Sequence, residues 1–207
     1  MDYFDGSKEK SKTCSILTFG IGQETKVEEI LKENFPQCSF LGFDPDEINK
    51  DLYEDKLGGK FIKAVIGGKP GWTRAYLLSK DRKALNARLI EKTPGFKLIE
   101  KYHGKSKIVD LLNIDIEGSE YSLLETFPYI PAYDEICQFN VELHPPYNYE
   151  HGYSIPEVFK IIKELMKSGT WLWIKTDKLY DIYFPSYFVN IRNKKCVEKF
   201  LRKKLIK

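Results

Sequence analysis

The segment that most restricts the fold is IVDLLNIDIEGSE, Ile108 to Glu120. From Ile108 to Ile116 it is nearly unbroken apolar sequence. A strand keeps such a composition when both of its faces are buried, as in parallel sheets covered by helices. It then breaks at Glu117-Gly118-Ser119-Glu120 into a helix-like stretch, Tyr121 to Phe127. CSILTFGIG, Cys14 to Gly22, repeats the plan: an apolar, β-branched run ends in glycines and leads into Glu24 to Phe35, where Val27, Ile30, Leu31 and Phe35 recur at helical spacing before Pro36. Ser39 to Phe43 reads as a second strand ending on Asp44-Pro45, and Phe61 to Ile66 as a third closed by Gly67-Gly68. With Ile108 to Ile116 as the fourth, Glu135 to Leu143 is the fifth. Ile155 to Lys167 is an amphipathic helix ended by Gly169, and Trp171 to Lys175 with Tyr187 to Arg192 are two closing strands. Between Lys69 and Lys107 the pattern is poorer: Trp72 to Leu78 suits a strand or a short helix, and Ala84 to Ile90 is weakly helical. Strands alternating with helices predict an α/β fold, a mostly parallel sheet with helices on both faces and a late antiparallel pair.

A chain of 207 residues with 42% hydrophobic residues has material for one substantial core. The expected organisation is a charged extension over 1–13, one domain over 14–192 and a basic amphipathic helix over 193–207. That last segment carries seven Lys or Arg against one Glu, with Val197, Phe200, Leu201 and Leu205 at helical spacing. The overall net charge of +3 gives no general case for nucleic acid as a partner. No apolar run is long enough for stable membrane insertion, and Met1 to Thr13 do not resemble a signal peptide, so a soluble, intracellular protein is the default expectation. Cys14, Cys38, Cys137 and Cys196 form no close pair, and with three His in the chain no structural metal is expected. Cys14 and Cys38 each lie six positions before the residues placed at the ends of neighbouring strands, Gly20 and Asp44. Equal depth predicts Cα atoms close enough for a disulfide. The default compartment argues instead for thiols.

Ligands of open parallel sheets bind beyond the carboxyl ends of the strands. At the first strand's end, Gly20-Ile21-Gly22 permits a tight turn and a close backbone approach. About twenty residues on stands Asp44, at the position where a nucleotide cofactor's ribose hydroxyls are held. At the fourth strand's end Asp115 and Glu117 share a face if the extended conformation persists, and at the fifth Glu142 and His144 point alike, so the four converge. Ser119 equally suits a helix N-cap, and His144, before Pro145-Pro146, a loop histidine.

CSILTFGIG followed by FLGFDP, then IVDLLNIDIEGSEYSLLE, then FNVELH, resemble the FkbM-type family of S-adenosylmethionine-dependent methyltransferases, and within it the animal methyltransferase-like branch. The resemblance implies a Rossmann-like, seven-stranded methyltransferase fold with S-adenosyl-L-methionine as cofactor. It puts Gly20, Ile21 and Gly22 near the cofactor's amino acid end, Asp44 on its ribose, Ala64 and Val65 near adenine, and Asp115 and Glu117 beside the sulfonium and the acceptor. Two positions depart from the family pattern: Thr18-Phe19 replaces an acidic residue before the glycines, and Asn113 stands where Lys is frequent. The likeness implies oxygen methylation of a sugar or small metabolite, hence a small-molecule or glycan acceptor. A hydroxyl acceptor requires a base, for which His144 is the first choice and Asp115 or Glu117 the second. Tyr147, Tyr149, His151 and Tyr153 supply rings to cover such an acceptor.

Three alternatives share parts of this pattern. A nicotinamide-dependent oxidoreductase would have the glycine turn and Asp44, but Thr25 replaces the third glycine of its motif. A non-catalytic binding module would keep the fold alone. A metal-assisted enzyme would hold a divalent ion on Asp115, Glu142 and His144.

Overall fold

The computed structural model describes residues 13–78, 85–146, 152–180 and 182–201. In chain order its elements are β1 (Cys14–Phe19), α1 (Lys26–Asn34), β2 (Cys38–Asp44), α2 (Lys50–Glu54), β3 (Lys60–Lys63), β4 (Val65–Gly67), β5 (Gly71–Leu78) and β6 (Leu85–Pro94), then α3 (Gly95–Leu98) and β7 (Leu111–Ile114). After these come α4 (Glu120–Leu124), β8 (Gln138–Leu143), α5 (Ile155–Lys167), β9 (Trp171–Thr176), β10 (Phe184–Asn190) and α6 (Lys194–Cys196). Seven strands form one sheet in the order β3-β2-β1-β7-β8-β10-β9. The first five are parallel, and β10 runs antiparallel to both β8 and β9. This is the α/β, mostly parallel, seven-stranded arrangement expected from the sequence.

Side chains alternate across each strand, which divides the core. Leu17, Phe19, Leu41, Phe43, Leu112 and Ile114 face one side, where α4 and α5 bring Leu123, Ile161, Ile162 and Leu165. Ile16, Phe40 and Leu111 face the other, under Leu31 of α1 and Tyr53 of α2. α5 has the expected boundaries: Ser154 and Glu157 form a capping box at its start, and Gly169, at φ +70°, follows its end.

The sequence reading is corrected at two places. Phe61 to Ile66 is two strands, because the chain leaves the main sheet at Ala64. β2 ends at Asp44, whose carbonyl accepts the Ala64 N–H as the last bond between the two strands. β4 then joins a second sheet, β4-β6-β5. Leu85 to Ile90, part of the segment with helical composition, lies in β6, hydrogen-bonded along β5 from Leu78↔Leu85 to Gly71↔Lys92. Cross-strand pairing overrides a helical preference that is weak to begin with. This insertion packs closely on the main domain: a Cβ on Gly68 would stand 1.7 Å from the Ser122 carbonyl oxygen.

Cys14 and Cys38 are direct register partners with Cα atoms 4.4 Å apart, as the equal-depth argument requires. The expectation of thiols is reversed, since the two sulfurs are bonded. A second disulfide, Cys137–Cys196, ties the end of the chain to the start of β8, where Phe200, Ile108 and Leu201 pack around it. Lys199 reinforces this attachment through a 2.5 Å contact to buried Asp110. Of the expected terminal helix, 202–207 lie outside the described residues, as does the expected extension apart from Thr13. Among the described residues no helix is long and apolar enough to cross a membrane.

The loops closed by these disulfides span 24 and 59 positions, so each should stabilise the fold by roughly 3 to 4 kcal/mol on chain-entropy grounds. Native protein should therefore take up no iodoacetamide without reductant, and urea denaturation with reductant should show a loss of that order. Ready alkylation of the folded, unreduced protein would refute the pairing.

Candidate active site

The carboxyl ends of β1, β2 and β7 meet through backbone contacts. Gly20, at φ +82°, donates its N–H to the Phe43 carbonyl at 2.8 Å, while Asp115 donates its N–H to the Phe19 carbonyl at 2.8 Å. A Cβ on Gly20 would stand 1.7 Å from the Asp115 carbonyl oxygen. The glycine turn and the acidic end of β7 are thus in direct contact, and a side chain between them is excluded. Gly22 differs: it needs glycine for its φ of +64°, and its missing Cβ would meet open space.

Asp44 is buried and joins these ends. Its Oδ2 accepts from the N–H groups of Ile21 at 2.9 Å and Gly22 at 3.2 Å, and its Oδ1 from the Asp46 N–H at 2.7 Å and Asn49 Nδ2 at 3.1 Å. Burial pushes its pKa up and these hydrogen bonds pull it back. A carboxylate offers about four acceptor positions, so protein donors fill this one, and a ribose contact would require exchange of an existing bond. Ala64 donates its N–H to the Asp44 carbonyl at 3.0 Å, which brings the expected adenine-side residue against the same strand end. Val65 lies one residue on, in β4, paired with Lys92.

The family's acidic residue before the glycines is missing from the turn, but a carboxylate reaches the same strand from α1. Buried Glu28 accepts from Thr18 Oγ1 at 2.9 Å and from Asn113 Nδ2 at 3.3 Å, and Tyr53 donates to Thr18 at 3.1 Å. Both departures from the family pattern therefore meet in one buried network.

Across the turn, Asp115, Glu117, Glu142 and His144 come together. β7 ends at Ile114, so strand alternation does not carry through to Glu117. Glu117 is turned toward His144 instead, at the exposed edge of the cluster, by a left-handed backbone, φ +53°, followed by Gly118 at +95°. His144 Nε2 lies 3.4 Å from Glu117, 3.7 Å from Asp115 and 3.9 Å from Glu142. The ring is almost wholly buried, edge-on to Tyr183, and its Nδ1 is 3.0 Å from Glu120 Oε1. Tyr121 holds the His144 carbonyl. Glu120, a residue without an expected role, is fully buried; its Oε1 also accepts from the Ile116 N–H at 2.9 Å, while Oε2 has no hydrogen-bond partner among the described residues. Its sequence signal was its place after Ser119 at a helix start, which resembles any first-turn acid.

Electrostatics follow from this crowding. Burial alone would lower the His144 pKa, but the Glu120 hydrogen bond and the charges of Glu120, Asp115 and Glu117 outweigh it and lift it to about 9. At neutral pH without a further ligand the ring is a cation, which disfavours it as the proton acceptor. Asp115 keeps 53% of its side-chain surface exposed, yet the protein packed around its carboxyl, followed by the charge of Glu142, pushes it up to about 7. Of the rings expected over the acceptor, Tyr147, Tyr149 and His151 lie outside the described residues, and Tyr153 packs against Tyr121 at 5.7 Å. A depression lined by Ile99, Lys107 and Glu135 lies at the amino ends of β7 and β8, away from this chemistry.

The two glycines make separable predictions. Gly22→Ala should cost about 1 to 2 kcal/mol, the strain of the left-handed backbone alone, whereas Gly20→Ala adds a backbone collision and should cost clearly more. Equal losses in urea denaturation would refute the close approach to Asp115. Asp44→Asn should lower stability by about 1 to 3 kcal/mol, because an amide cannot accept from both pairs of donors.

The family model described as the methyltransferase FkbM domain matches residues 4–168. Among solved structures, a protein of Thermoplasma acidophilum described by inference as a methyltransferase is similar, with 11% identity, TM-score 0.46, and 87% of this chain and 70% of that chain covered. Aeropyrum pernix fibrillarin with natively bound S-adenosyl-L-methionine gives 12% identity, TM-score 0.45, and 85% and 66% coverage. A SAM-dependent methyltransferase from Aquifex aeolicus gives 12% identity, TM-score 0.41, and 86% and 82% coverage. None of the curated proteins compared matches the chain. The family match spans most of the sequence, and on it the chain belongs to the FkbM methyltransferase family, the S-adenosylmethionine-dependent enzymes that the sequence motifs resemble.

Proposed function

We propose that this enzyme transfers the cofactor's methyl group to a hydroxyl oxygen of a sugar or other small metabolite, in the manner of the animal methyltransferase-like branch. The observation that carries the reading is the contact between the Gly20 turn and the Asp115 backbone, which sets a cofactor loop beside a rim of hydrogen-bond acceptors. Gly20, Ile21 and Gly22 cradle the cofactor's amino acid end, and Ala64 and Val65 border adenine. Asp44 serves this loop by fixing the Ile21 and Gly22 N–H groups. Carboxylates accept from hydroxyls, so Asp115, Glu117 and Glu142 can hold a polyhydroxylated acceptor.

In transfer, the acceptor oxygen bonds to the methyl carbon as the carbon–sulfur bond breaks. Its proton passes to a rim carboxylate, and neutral S-adenosylhomocysteine remains. The sulfonium supplies the activation, so the protein's work is alignment, exclusion of water and removal of the proton. We assign this step to Glu142, on β8 and partly buried. His144, held by Glu120, positions the rim.

The two disulfides favour an oxidising compartment, secretory or extracellular, over the intracellular default drawn from the sequence.

Labelled S-adenosylmethionine incubated with the full chain and a panel of sugars and small hydroxyl metabolites tests the reading. Label should enter an ether-linked methyl group. Glu142→Gln should lower single-turnover transfer about a hundredfold or more, as for loss of a general base, while S-adenosylhomocysteine affinity by calorimetry stays within about twofold. Transfer to nitrogen alone, or full turnover by the variant, would overturn the assignment.

A further inference from the structure

We propose that His144 Nε2, Asp115 and Glu117, with Glu142 at the rim, form a binding site for one divalent cation of the first transition row. The site stands on geometry alone; its use in transfer rests on the hydroxyl-acceptor reading above.

The first argument is spacing. Ligand atoms from Asp115, Glu117 and His144 all lie within 4.8 Å of one another. Nε2 stands 3.4 Å from the Glu117 carboxylate and 3.7 Å from that of Asp115. These separations exceed those of a charge-assisted hydrogen bond, about 2.7 to 2.9 Å. Ligands about 2.0 to 2.2 Å from one ion sit roughly 3 to 3.6 Å apart in octahedral or tetrahedral arrangements, so Glu117 already stands at a coordination edge and the exposed Asp115 carboxylate has to close by a small rotation.

The second argument is the histidine. Its side chain is only 4% exposed, and Nε2 points into the carboxylates without a hydrogen bond among the described residues. Nδ1 is held by a fully buried carboxylate, Glu120. A histidine oriented by a carboxylate on one nitrogen, with the other facing acidic groups, is the arrangement in which imidazole ligates metal once the ion displaces its proton. Glu120 Oε2, buried without a partner, is a further sign that the local charge is incompletely matched. Three carboxylates facing Nε2, with Glu120 on Nδ1 as a fourth, crowd a single ring with negative charge that a divalent ion would offset.

The third argument concerns the kind of ion. One nitrogen and two or more carboxylate oxygens suit manganese or its neighbours better than magnesium or calcium, which take oxygen alone, and better than a thiolate-preferring ion. Asp115 and Glu117 both keep exposed surface, so solvent or substrate reaches the open side of the site. An ion there faces the space beyond the Gly20 turn, where it would polarise an acceptor hydroxyl and ease its loss of a proton to Glu142.

The probe is Mn²⁺ alone, titrated into full-length protein freed of metal by chelation, with loss of the free-ion electron paramagnetic resonance signal as the readout. The expected result is saturable binding of one ion per chain. Asp115→Asn and Glu117→Gln, both on exposed side chains and so expected to fold, should each weaken it about tenfold or more. Glu164→Gln, on the outer face of α5, should leave it unchanged. His144→Ala should also lose binding, with circular dichroism reporting whether that variant folds. No saturable binding, or binding unaffected by both carboxylate variants, overturns the site whatever the enzyme methylates. Manganese bound without any transfer to hydroxyls would leave the site standing and overturn the acceptor reading.

Discussion

The interaction on which the rest of this structure depends is the set of four hydrogen bonds accepted by Asp44. One carboxylate holds the Ile21 and Gly22 N–H groups with one oxygen and the turn after β2 with the other. Glycines give a loop freedom, and freedom is the opposite of a preorganised binding surface. Asp44 removes it, so that backbone donors at the end of β1 keep fixed positions. Burial raises the cost of its charge, and the donors that offset that cost are those of the loop itself. The binding loop and the sheet edge are therefore one unit.

The second joint is the contact between Gly20 and the Asp115 carbonyl. β1 and β7 are neighbours across the point where the strand order reverses, and a crevice opens there because successive connections leave in opposite directions. Any side chain on Gly20 would hold the strand ends apart. With none, the loop meets the acidic rim directly, and the two halves of a transfer reaction fit within one crevice.

Around the rim the structure concentrates like charge. Asp115, Glu117 and Glu142 all approach one imidazole that is itself held by Glu120. The charges raise the histidine, and burial followed by the charge of Glu142 raises Asp115, a poor arrangement for stability and a useful one for binding a cation or a hydroxyl-rich molecule. Disulfides lie at the far ends of the same strands, at Cys14–Cys38 and Cys137–Cys196, where they brace the sheet without entering the crevice.

The sequence by itself determined the features that depend on local pattern. Unbroken apolar runs marked the parallel strands, helical spacing and Gly169 marked α5, and equal depth in two strands aligned Cys14 with Cys38. It also identified the strand ends where Gly20, Asp44, Asp115 and His144 stand. It read Leu85 to Ile90 as weakly helical, because only pairing with β5 outweighs that preference, and it ran β3 into β4, because the two continue one apolar run and part only by joining different sheets. Tertiary structure alone decided the rest: that Asp44 is filled by its own loop, that Glu28 of α1 meets Thr18 and Asn113, that Glu120 orients His144, and that Glu117 reaches the cluster through a left-handed backbone. Those facts join residues from different elements. Which donor meets which acceptor depends on where packing leaves each backbone, and no periodicity in the chain encodes that.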